Sequence, residues 1–215
     1  MNPLRPALKR AFTIIELMVV LAIMAVVAGL IVGLASVSGD NKKIKRTEAE
    51  LAKLVTLIEQ YKTKVGVYPP DNPNTNFPQR NVLFYELAGA VRKPPTADPV
   101  YETPYWTNAS NQLFNAFGAR GIVNARDEGN VDPDANRMHP VLKDLKSDQF
   151  AEVVSGTRSL VVPVDDKNGQ RPNPWRYLVG SSAAHNPESF DLWVEIKLGS
   201  TNGVAKTKII GNWKN

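Results

Sequence analysis

One charge-free stretch limits this chain more than anything else in it: no Asp, Glu, Lys or Arg occurs from Leu17 to Val37. As a helix rising about 1.5 Å per residue, these 21 residues match a hydrocarbon core of about 30 Å, so the segment is long enough to cross a membrane. It exceeds the roughly 7–15 apolar residues of a cleavable secretory signal. A retained signal anchor would account for its length but not for Glu16, which stands at the start of the apolar run behind the basic residues Arg5, Lys9 and Arg10. An acidic residue at a membrane centre costs about 2.5–3.5 kcal/mol. Glu16 therefore either lies near enough to the interface to reach water or has a partner, and position alone leaves both open.

The run Arg10-Ala11-Phe12-Thr13-Ile14-Ile15-Glu16-Leu17-Met18-Val19-Val20 resembles the processing signature of type IV pilins and type II secretion pseudopilins. The resemblance implies cleavage by a prepilin peptidase on the cytoplasmic side between Ala11 and Phe12, and N-methylation of Phe12. Glu16 becomes the fifth residue of the mature chain and an assembly residue. The family usually has Gly before the cut; Ala11 is the next smallest side chain, and processing is expected.

The remaining composition suits one soluble domain on one anchor. Residues 1–11 form the expected leader, 12–38 the transmembrane and assembly helix, and 39–215 a periplasmic domain of ordinary size. Of the 26 Lys and Arg, three lie in the leader, and without them the basic residues nearly balance the 21 Asp and Glu. By the positive-inside rule the leader stays cytoplasmic and the C-terminal domain crosses the inner membrane in a single pass. With no cysteine there is no disulfide framework and no thiol chemistry.

Helical periodicity continues beyond the apolar segment. Ile44, Leu51, Ile58 and Val65 recur every seven residues with Leu54 and Tyr61 beside them, and Lys42, Lys43, Lys45, Glu48, Glu50, Lys53 and Glu59 fill the other face. This half is expected to bury its stripe against its own domain rather than in a coiled coil, because heptads are few and a domain follows at once. Gly66 and Tyr68-Pro69-Pro70 end the pattern. One helix over 13–65 would be roughly 80 Å long. Ala25, Gly29 and Gly33 fall four apart, a row of small residues that suits close packing of many copies as assembly positions. Pilins often carry proline at the position of Gly33; here Gly29 and Gly33 supply the conformational freedom.

The rest reads as a loop over 69–80, a short helix over 81–90, and strands over 159–164, 175–180, 189–198 and 204–211. Phe190, Leu192, Val194 and Ile196 alternate with Asp191, Trp193, Glu195 and Lys197, the period-two pattern of a half-buried antiparallel strand. Asn168-Gly169 and Asn202-Gly203 provide turns. The fold class expected is therefore α+β and pilin-like: a long N-terminal helix packed on a small C-terminal antiparallel sheet. Pro174-Trp175-Arg176-Tyr177, Phe190-Asp191-Leu192-Trp193 and Ile210-Gly211-Asn212-Trp213 resemble landmarks of major pseudopilins, the nearest members of the family. Residues 91–157 lie outside the resemblance and read as an insertion, with a helix near 141–154 and aromatics Tyr101, Tyr105, Trp106, Phe114 and Phe117 that pack it.

Major pseudopilins bind calcium in the loop between their last two landmarks. Here residues 198–208 contain no carboxylate, so that site is not carried over, and no cofactor is expected. Asp132 and Asp134 are weak metal candidates that read better as a solvated acidic loop. His139 and His185 can be paired with Asp165 or Asp166, but no nucleophile elbow or phosphate loop accompanies them, so an enzyme is not expected. The mature domain is nearly neutral and its lysines are interspersed with acids, so nucleic-acid binding is not expected. The leading function is a structural subunit of a type II secretion pseudopilus or type IV pilus-like filament, with partners in copies of itself, prepilin peptidase, a platform protein and minor pseudopilins. The alternative is a single-pass membrane-anchored binding module, or a minor pilin for adhesion or DNA uptake.

Overall fold

The computed structural model describes residues 14–94, 97–119, 121–130, 137–154, 156–201 and 204–213, with side chains except those of 29–38 and 201. In chain order the elements are α1 (Ile14–Val65), α2 (Leu83–Ala88), β1 (Ala90–Lys93), β2 (Val100–Glu102), β3 (Thr107–Ala109), α3 (Ser110–Phe117), β4 (Ala125–Asp127), β5 (Phe150–Ala151), β6 (Ser159–Val162), β7 (Asn173–Pro174), β8 (Arg176–Val179), β9 (Phe190–Thr201) and β10 (Val204–Gly211). The chain divides into two units, Met1–Lys42 and Lys43–Asn215.

In the first unit α1 is apolar on every side, and Ile14, Leu17, Met18, Leu21, Ile23 and Met24 are all exposed. Among the described residues no helix is long and apolar enough to cross a membrane. The expected span, residues 17–37, runs into 29–38, whose side chains lie outside that description.

The second unit opens with the amphipathic half of α1. Leu51, Leu54, Ile58 and Tyr61 are buried, with Ile44 and Val65 partly so, which is the stripe that the heptad spacing marks. Burying a side chain such as Ile58 contributes about 1.5–3 kcal/mol. Thr47 is also buried on this face, its hydroxyl donating to the Lys43 carbonyl at 2.8 Å. The helix stops at Gly66, whose φ of +91° is left-handed and whose N–H closes on the Lys62 carbonyl at 2.8 Å. Lys62 and Lys64 in the last turn complement the helix dipole.

The strands form three sheets, in the orders β10-β9-β8, β5-β6-β7 and β3-β2-β1-β4. The first is antiparallel throughout, and Phe190, Leu192, Val194 and Ile196 of β9 are buried, as the alternation requires. Its observed strands lie within a few residues of the expected ones, with β9 running on to Thr201. The turn at Asn168-Gly169 is held by Asp166, which accepts from the backbone N–H groups of Asn168 (2.9 Å) and Gln170 (2.7 Å). Asn202-Gly203 lies outside the described residues.

Residues 91–157 hold the four-stranded sheet and α3, and here the structure departs from expectation twice. No helix forms over 141–154. Asp144 has φ +54°, the Lys146 N–H donates to the Gln149 side-chain oxygen at 3.0 Å, and Phe150 and Ala151 pair with β6, so backbone that a helix would need is committed elsewhere. The aromatics also divide. Tyr101 and Phe117 are buried and Tyr105 packs against the core, whereas Trp106 is 36% and Phe114 44% exposed. β1 pairs with β4 in parallel, the one parallel ladder among the described residues.

Candidate assembly helix and its anchoring network

Of the residues singled out in the sequence, Ala11 and Phe12 lie outside the described residues, as do Asp132 and Asp134. Glu16 occupies the first turn of α1, where a carboxylate interacts favourably with the positive end of the helix by about 0.3–1 kcal/mol. Ala25, Gly29 and Gly33 all fall within α1, and their spacing of four places them along one side of it. A helix that is apolar all round requires lipid or other apolar chains about it.

The second half of α1 is fastened to its domain by a buried carboxylate. Glu86, on α2, is fully buried and accepts three hydrogen bonds: from the Tyr61 hydroxyl of α1 (2.8 Å), the Val123 N–H (2.8 Å) and the Asn124 N–H (2.9 Å). Burial pushes its pKa up, and the three donors offset part of that rise. The Tyr61 hydroxyl is pushed up as well, by burial and then by the neighbouring carboxylate. Asn124 continues the network, donating from its amide to the Glu86 and His139 carbonyls (2.7 and 2.9 Å) and accepting from the His139 N–H (2.6 Å). The helix, α2 and the start of β4 are thereby joined at one point. Glu86 left a trace in the sequence, a carboxylate inside the otherwise apolar Leu83–Ala88. Asn124 left none.

The C-terminal landmarks form a second fastening. Asn212 accepts from the Leu192 N–H and donates to the Phe190 carbonyl, both at 2.8 Å, which holds the chain after β10 against β9. The Trp213 ring lies 3.9 Å from that of His185, stacked within 5°. Neither histidine pairs with Asp165 or Asp166: His185 Nδ1 is 3.1 Å from buried Asp191, Asp165 binds Arg171, and His139 is engaged through its backbone. Asp191 is tied up in accepting from the backbone of His185 and Asn186 and from the Asn186 amide. These contacts order a loop. Among the described residues no three His, Cys, Asp or Glu gather as metal ligands.

Comparison with known families finds a match at residues 7–32 to the prokaryotic N-terminal methylation motif. No curated protein and no solved structure shows significant similarity to the chain. The matched segment contains the cleavage site expected between Ala11 and Phe12 and runs into the apolar part of α1, so the chain carries the signal of a type IV pilin-like precursor.

Proposed function

We propose that this chain is a structural subunit of a pilus-like filament, most closely a type II secretion pseudopilus, which polymerises through its N-terminal helix to drive protein secretion. The methylation motif at residues 7–32 carries this reading. After removal of residues 1–11 the mature helix is held in the inner membrane with the domain in the periplasm, and the subunit passes from there into the filament. The division of α1 supports the reading: one half leaves its apolar surface exposed, while the other is locked into the domain through Leu51, Leu54, Ile58 and Tyr61. Prepilin peptidase, a platform protein and other pseudopilins are the partners that follow.

In the filament Glu16 pairs with the positive amino terminus of Phe12 in its own or a neighbouring copy. Each charge compensates the other in a low-dielectric core, and a subunit enters at the register that satisfies both. Glu16→Ala is therefore expected to leave membrane insertion and leader removal intact and to weaken oligomer ladders on cross-linking in cells. Equal ladders from the parent protein and the variant would refute the pairing.

The exposed Trp106 and Phe114 favour one further reading, a membrane-anchored binding module or minor subunit presenting residues 91–157 to a partner. Leader removal without any oligomer ladder would select it.

A further inference from the structure

The second unit gathers cations at the end where its helix begins. Lys43 Nζ donates to the Lys197 carbonyl of β9 at 3.3 Å. The β9–β10 register sets Lys197 opposite Thr207, so Lys206 and Lys208 flank it, and Lys208 Nζ lies 3.7 Å from Glu48 on α1. At the other end of β9, Ser189 Oγ donates to the hydroxyl of Tyr68, just past the helix, at 3.1 Å. β9 therefore runs against the helix direction, and the ends of β9 and β10 nearest their tip lie beside Lys43 and Glu48, near the start of this helical segment. Two acids answer this group: Glu48 meets Lys208, and Asp148 binds Arg46 at 2.7 Å. Lys45 and Lys206 are exposed, and among the described residues neither has an acidic side chain within ion-pair distance, whereas the half-buried Lys197 lays its ammonium against Gly169. Val204, 70% exposed, stands at the same tip.

We propose that this collar docks on anionic phospholipid headgroups, an inference that rests on the membrane anchoring proposed above. Lys43 follows Val37, the last residue of the expected span, by six residues, which cover at most about 20 Å even fully extended. Lysines on the translocated flank oppose the positive-inside bias, so their presence there calls for a compensating role. An anionic leaflet supplies one, because it attracts juxtamembrane Lys and Arg. Basic side chains with an exposed valine on the same hairpin match a surface of phosphates over acyl chains.

The test uses the full chain, reconstituted in phosphatidylcholine vesicles and in phosphatidylcholine–phosphatidylglycerol vesicles. A fluorophore is placed at the tip through Ser200→Cys, the chain having no other cysteine. Energy transfer to headgroup-labelled lipid is expected to be higher with phosphatidylglycerol and to fall with added salt. The docked-to-undocked ratio should drop roughly fivefold for each lysine removed in Lys45→Gln and Lys206→Gln. Lys45→Arg and Lys206→Arg should retain the transfer. Equal transfer in both lipids, from protein that floats with both, overturns the collar alone. Failure to float with neutral vesicles overturns the anchoring and the collar with it. Cross-links between copies through position 200, indifferent to lipid charge, would assign the surface to a second copy and refute the lipid.

Discussion

At the scale of single residues, Glu86 does the most to join elements distant in sequence. Its two oxygens receive three donors, one from α1 and two from the adjacent N–H groups of Val123 and Asn124. In Glu86→Gln the amide nitrogen cannot accept, so the Val123 or Asn124 N–H loses its partner, and a loss of about 1–3 kcal/mol is expected in denaturant unfolding. Burial raises the folded carboxyl above its ordinary value of 4.5, so the folded chain holds this proton to higher pH than the unfolded chain. The contribution is full below that value and is lost as pH rises through the folded pKa. The stability advantage of the parent protein over Glu86→Gln should therefore shrink from about pH 4.5 upward; an advantage that grows over that range would contradict the assignment. The apolar context of Glu86 was legible in the sequence. Its partners were not, because Tyr61, Val123 and Asn124 meet it only after long-range folding.

At the scale of elements, the parts that read correctly are those whose side chains alternate with a regular period. The seven-residue stripe of α1 and the two-residue alternation of β9 each specify a buried face, and a shift by one residue would have exposed it. Residues 141–154 carry apolar side chains without a period, and their backbone pairs with Leu87 at one end and with β6 at the other, partners that no local pattern announces. The parallel β1–β4 pairing is likewise non-local. The β9–β10 hairpin has its own test. No carboxylate occurs over 198–208, and the strands continue through Thr201 and from Val204, committing part of the backbone to pairing. Adding a chelator should leave the melting temperature unchanged. A large fall that calcium restores would show that this hairpin, or Asp132 and Asp134, holds a cation after all.

At the scale of the whole molecule, the proposed function gives the methylation motif the part to be processed, the apolar helix the part to pack with other copies and the fastened domain the part to be carried. The methylation motif was legible in the first forty residues, because a charge-free run of membrane length with one carboxylate at its start and basic residues before it forms a local pattern. The character of residues 91–157 was not, since short strands with mixed pairing leave only weak patterns. Processing is the step on which the account depends, and the mass of the protein extracted from membranes measures it directly. The account predicts a chain that begins at Phe12 and carries one methyl group on its amino terminus. An intact Met1, or a cut after Val37, would contradict it.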